Sequence, residues 1–191
     1  MMNTRERKRT RAMKRMILLT IVVLTLLSGL AKAEGYAPPE PGAAFTLEGD
    51  MGVLVDGVFY KILADFAPLR EALGEPVEVA SAPSCVFVGE DREFAYDGAY
   101  IFTNPAGERD VWYELFITGE GFSTARGLRV GDSFERLREL YGEPHYWEGE
   151  RMATYSVSGE EGDYESPCMM IELDGEGLVV TIDLYYPTNV S

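Results

Sequence analysis

The sequence predicts an α+β fold, a tandem repeat in which a short helix packs on a small antiparallel β-sheet. One observation is an internal repeat: Leu69–Pro76 (LREALGEP) recurs as Leu137–Pro144 (LRELYGEP), with six identities in eight positions at an offset of 68. A second is that each copy reads as the end of a helix. Leu69 and Leu73, or Leu137 and Tyr141, are spaced i, i+4 on one face, Gly74 or Gly142 supplies a left-handed stop, and Pro76 or Pro144 forbids continuation. The third is that alternating apolar and polar runs separated by Gly, Asn and Asp follow both copies, the period-two pattern of antiparallel strands with one apolar face.

The elements follow in order. Residues 1–33 place seven basic residues (Arg5 to Arg15) before an apolar run, Met16–Leu30, that ends at Ala31-Lys32-Ala33. Basic residues, a short apolar run and small residues at a cleavage point are the layout of a signal peptide, so the chain is expected to be secreted or extracytoplasmic in the cell envelope. The run's 15 residues fall short of the roughly 20 that span a bilayer, so no membrane insertion is expected after cleavage. Residues 34–47, rich in Pro, Gly and Ala, read as a flexible tether. The first helix-plus-sheet repeat is assigned to 48–120 and the second to 121–191. The first opens with two β-rich runs, Met51–Leu63, joined by Asp56-Gly57, a pair that accepts the positive φ angles of a type I′ hairpin. Strands are expected at 85–88, 92–96, 99–103 and 111–118, then at 146–148, 152–156, 167–173 and 178–186. Asp132-Ser133 precedes the second helix and reads as its N-cap.

Charge narrows the partners. Residues 1–33 hold eight of the 17 basic residues and one of the 32 acidic ones, so the remaining 158 residues carry nine basic and 31 acidic residues, a net −22. That surface repels phosphate backbones and anionic headgroups, which argues against nucleic acid and for a basic or mixed-charge protein or peptide.

Three stretches carry a resemblance: Ser84–Tyr96 (SCVFVGEDREFAY), Ser123–Ser133 (STARGLRVGDS) and the stop Tyr141-Gly-Glu-Pro144. They resemble a group of uncharacterised exported bacterial proteins that is similar to the β-lactamase inhibitor protein fold. The unit is also similar to that of small lipoproteins of outer-membrane assembly. The resemblance covers about residues 48–186 and implies a binding scaffold without catalytic residues, whose sheets receive another protein. One departure is that a hairpin precedes the first helix, where the inhibitor-like pattern has a further helical segment. No partner-contacting residue of the inhibitor matches a position here.

Candidate chemistry is sparse. Cys85 and Cys168 form a candidate disulfide, which in the chain-entropy model would stabilise by about 4–5 kcal/mol across an 83-residue separation. The other reading is two reduced thiols; either Cys85 or Cys168 with His145, the single histidine, would make the alternative function, a small exported thiol hydrolase. No metal or cofactor is expected: structural zinc needs four ligands, and the acidic runs at 90–91 and 160–163 lack the alternating Asp loop of a calcium site and read as solvated turns. Aromatic residues are the better binding candidates. Trp112, Phe116, Tyr146, Trp147 and Tyr185 are taken as partner-binding, beside the ordinary reading that most aromatics pack against the helices. Trp112 and Phe116 are expected to project away from the apolar set Tyr113, Leu115 and Ile117.

Overall fold

The computed structural model describes residues 36–163 and 165–188; segment 1–33, expected to be a signal peptide, lies outside them. The fold is mixed α/β, with few helices and entirely antiparallel sheets. Short helix α1 (Leu47–Asp50) leads into β1 (Gly52–Val55) and β2 (Val58–Lys61), then α2 (Phe66–Leu73) and β3 (Glu78–Pro83), β4 (Glu90–Tyr96), β5 (Ala99–Ala106) and β6 (Arg109–Ile117). The short β7 (Ser123–Thr124) precedes α3 (Phe134–Tyr141), which is followed by β8 (Tyr146–Glu148), β9 (Met152–Ser156), β10 (Cys168–Leu173) and β11 (Val179–Tyr185). Eight strands form one sheet in the order β3-β4-β5-β6-β11-β10-β9-β8, so β6 and β11 meet at its middle, while β2-β1-β7 form a small second sheet.

Local chemistry explains most boundaries. Asp56 and Gly57 have φ of 50° and 79°, as the two-residue hairpin β1–β2 requires. Both helices stop at glycines in the left-handed region, Gly74 at φ 78° and Gly142 at 80°, each donating its N–H to a carbonyl four residues back. Asp65 caps α2 by accepting from the Ala67 N–H at 2.9 Å, and Ser133 caps α3 by accepting from the Arg136 N–H at 3.3 Å. Ser133→Ala is therefore expected to cost about 1 kcal/mol, read as a lower urea midpoint at unchanged slope. An unchanged midpoint would mean that the cap is not used.

Burial selects one face of the large sheet for the helices. Phe94, Ile101, Leu115, Leu184, Met169 and Tyr155 are consecutive cross-strand partners from β4 to β9, and all are buried. Phe66 of α2 packs on Phe94 with ring centres 4.7 Å apart, and Tyr141 of α3 on Tyr155 at 5.5 Å. Leu69 and Leu137, the repeated leucines, are both fully buried in this core.

Two expectations are corrected. Residues 36–46 pack on the domain instead of forming a free tether: Tyr36 stacks on Phe59 at 4.0 Å, Phe45 is buried, and the Gly42 N–H donates to the Leu140 carbonyl at 3.1 Å. The first strand after α2 is Glu78–Pro83, not 85–88. Residues 84–89 form the turn between β3 and β4, closed by the Ser84 N–H donating to the Gly89 carbonyl, with Ser84 Oγ accepting from the N–H groups of Val86 and Phe87. The apolar run Val86-Phe87-Val88 is exposed on that turn, while the strand uses the weakly β-forming Glu-Val-Ala-Ser-Ala-Pro.

Candidate binding face of the sheet

The far face of the large sheet, turned from the helices, gathers acidic and aromatic side chains. The cross-strand register puts Glu93, Phe102, Glu114, Tyr185, Cys168 and Ser156 in one row on it. The adjacent row runs Ala95, Tyr100, Phe116, Asp183, Met170, Thr154 and Tyr146. At the centre, Glu114 pairs with Tyr185 and Phe116 with Asp183, leaving the two carboxylates diagonal neighbours across β6 and β11.

Compensating cations are few on this face: Arg151, from the turn before β9, reaches Glu172 at 3.7 Å, and Arg92 lines a hollow beside Asp91 and Glu93. The strands of the large sheet contain only two basic residues, Arg92 and Arg109, and these reach Asp110 at 2.7 Å and Asp65 at 3.9 Å. Burial and the nearby Glu114 push the Asp183 carboxyl up to about 7, and its Oδ1 is buried without a hydrogen-bond partner among the described residues. Burial and Glu93 raise Glu114 as well. Burial, then Glu114, Asp91 and Tyr185, push the Tyr113 hydroxyl up to about 12. Every charge named around these groups is negative, so a partly desolvated, electronegative surface runs across the middle of the sheet.

The five aromatics singled out from sequence divide by register. Phe116, Tyr146 and Tyr185 lie on the far face. Trp147 pairs with Ala153 and lies on the helix side, its ring 5.4 Å from Phe134. Trp112 is a correction. Phe102 pairs with Glu114 but Thr103 with Trp112, so a β-bulge inserts Tyr113 as an extra residue and reverses the alternation. Trp112 consequently sits in the core at 0% exposure, and Tyr113, expected beside Leu115 and Ile117, lines hollows on the far face.

The cysteines are both free thiols. Cys85 is exposed in the β3–β4 turn, which leans over the far face as far as Tyr185, whereas Cys168 is buried on β10. Three strands separate β4 from β10, while a disulfide needs Cα atoms within about 7 Å. Burial, then Asp183 and Glu148, push the Cys168 thiol up to about 12, the opposite of an activated nucleophile. His145 Nδ1 accepts the Ser156 N–H at 3.0 Å. Among the described residues no three His, Cys, Asp or Glu side chains converge on a metal-sized site, and no helix is long and apolar enough to cross a membrane. Asp163, in the acidic run at 160–163, accepts from the N–H groups of Glu165 and Ser166 and from the Ser166 hydroxyl, as a turn residue does.

The residues that sequence reasoning missed are Glu114 and Asp183. The signal was present: in Val180-Thr-Ile-Asp-Leu-Tyr185 the apolar set Ile182 and Leu184 leaves Asp183 and Tyr185 together on the other face. No protein-family model matches the chain, and neither a curated protein nor a solved structure matches it.

Proposed function

We propose that this chain is a non-catalytic binding module, exported to the cell envelope or the medium, which engages a protein or peptide of basic or mixed charge through the far face of its large sheet. The observation that carries this reading is the central patch of Glu114, Asp183, Phe116 and Tyr185, in which two carboxylates of raised affinity for protons adjoin aromatic surface without a neighbouring cation. Aromatic rings supply burial, and the carboxylates supply attraction and selectivity for positive charge.

The scaffold proposed for this role is two copies of one helix-plus-four-strands unit, joined through the last strand of each and similar to the β-lactamase inhibitor protein fold. Support comes from the offset of 68, which relates Leu69 to Leu137, Gly74 to Gly142, and the first residue of β3, Glu78, to that of β8, Tyr146. The strand order, which runs up one half and back down the other, agrees with it.

The test is to crosslink the protein in its native envelope, purify the captured partner, and titrate it against the parent and the Tyr185→Ser and Glu114→Gln variants. At least tenfold weaker binding by variants that keep the parent's circular dichroism is the expected result, with association slowing as salt rises. Equal affinity for all three proteins would remove this face from the interaction.

A further inference from the structure

Strand β3 is the edge of the large sheet and is exposed along its whole length, and among the described residues no strand pairs with its outer side. It also lacks the devices that usually blunt an edge: no lysine, no bulge, and a proline only at its last position. Its two faces differ sharply. On the helix side Val79, opposite Phe94, stands 48% exposed. On the far face Glu78, Ala80 and Ala82 pair with Ala95, Glu93 and Asp91 of β4.

Two hollows lie there, of about 200 Å³ and about 770 Å³, which share Ala80 and Glu93 in their walls; Arg92, held by Asp110 at 2.7 Å, also lines the smaller one. Among the described residues, Glu78, Glu93 and Asp91 form no ion pair, and Asp91 Oδ1 is buried without a hydrogen-bond partner. A strand added to this edge would lie about 4.8 Å from β3, with side chains alternating between the two faces. A long basic side chain opposite Ala80 or Ala82 could lie over the methyl group and reach Glu93 or Asp91, two strand spacings, about 10 Å, from its own backbone. Residues on the other face would meet Val79.

We propose that β3 receives an extended segment of a partner protein in which basic and apolar residues alternate, the basic side chains crossing Ala80 and Ala82 to Glu93 and Asp91 and the apolar ones covering Val79. This rests on the reading of the protein as a binding module and specifies where, and by what backbone geometry, its partner enters: by strand addition, in which main-chain hydrogen bonds supply affinity and alternate side chains supply selectivity. A second copy of the chain is a poorer occupant, because it would bring two sets of unpaired carboxylates together on chains whose residues 34–191 carry a net −22.

The experiment uses blocked peptides as probes: a Lys-Val alternating nonamer, an isomer with the lysines and valines in blocks, and the alternating nonamer N-methylated at every second residue. Binding is followed by fluorescence anisotropy to the parent, to Ala80→Arg/Ala82→Arg and to Glu176→Gln, with circular dichroism checking that each protein is folded. The alternating peptide should bind the parent at least tenfold more tightly than either control. It should lose tenfold or more on Ala80→Arg/Ala82→Arg and little on Glu176→Gln, an exposed carboxylate in the turn between β10 and β11. Equal binding of the alternating and block peptides, no loss on N-methylation, or no binding of any probe would each overturn strand addition. A dimer of the parent that Ala80→Arg/Ala82→Arg dissolves in sedimentation would give the edge to a second copy and overturn it too. A native partner that depends on Tyr185 but ignores Ala80→Arg/Ala82→Arg would sink this inference and leave the sheet-face function standing.

Discussion

Replacing Arg126 with methionine is expected to lower the unfolding free energy by about 3–5 kcal/mol, a large part of a domain's total. Arg126 and Asp50 are 1% and 0% exposed at their side chains, and the guanidinium holds the carboxylate with two bonds, Nε to Oδ1 at 2.7 Å and Nη2 to Oδ2 at 3.1 Å. The remaining N–H groups donate to the carbonyls of Ala43, Ala44 and Leu140 at 2.9–3.1 Å, and the plane lies 4.7 Å from the Tyr141 ring centre. A tight turn aims the side chain inward: Thr124 accepts from the Gly127 N–H, and its Oγ1 accepts from the Leu128 N–H. One residue therefore ties the N-terminal segment and α1 to the end of α3. Methionine would leave the buried Asp50 carboxyl without its cation, facing only the Thr46 N–H and hydroxyl. The loss should appear as a melting temperature lower by roughly 6–20 °C. Pairing it with Asp50→Leu should recover much of the loss, since hydrophobic replacement of both partners is often near neutral. A single variant that melts with the parent would show that the clamp does not hold the segment.

That clamp marks a limit of sequence reading. Thr124-Ala-Arg-Gly-Leu128 stands out as a motif, but its partner Asp50 lies 76 residues away, and nothing in either neighbourhood signals a buried pair. Local signals did better. The Asp-Gly hairpin, both glycine helix stops, the Ser133 cap and the four strands of the second half follow from turn chemistry and alternation. Errors arose where a neighbour overrode a local preference. β3 is a strand because β4 offers a ladder to a poor β-former, and its starting point was reachable by carrying the offset of 68 past the helix to Tyr146. Trp112 was misplaced because one extra residue in a bulge inverts every side chain beyond it. Composition misread residues 36–46, since Tyr36 and Phe45 anchor a stretch whose prolines and glycines suggest none.

The stability of the parent is expected to fall as pH rises from about 4 to about 7, and Asp183→Asn should abolish that part of the slope. Asp183 projects from β11 between Phe116 of β6 and Met170 of β10, with Glu114, Cys168 and Glu172 as its titratable diagonal neighbours. Its carboxyl is raised from the ordinary 3.8 to about 7, by burial first and Glu114 second. In that window the folded state keeps a proton that the unfolded chain has released, so each pH unit costs stability. Above about 7 both states are ionised and the contribution is level. About three units at about 1.36 kcal/mol each set an upper figure of about 4 kcal/mol for the difference in slope between parent and variant, read from urea midpoints at pH 4.5, 6 and 8. The same ionisation is what a basic ligand would use. A cation seated at Asp183 holds the carboxylate charged, so binding should release a proton below pH 7 and strengthen by up to tenfold per unit as pH rises toward it, an effect missing in Asp183→Asn. The carboxylate thus weakens the empty protein at neutral pH and is relieved when a positive group arrives, which links the instability of this position to its proposed use. If parent and Asp183→Asn lose stability in parallel between pH 4.5 and 8, the carboxyl is not held in its neutral form, and the central patch loses its argument for a cation.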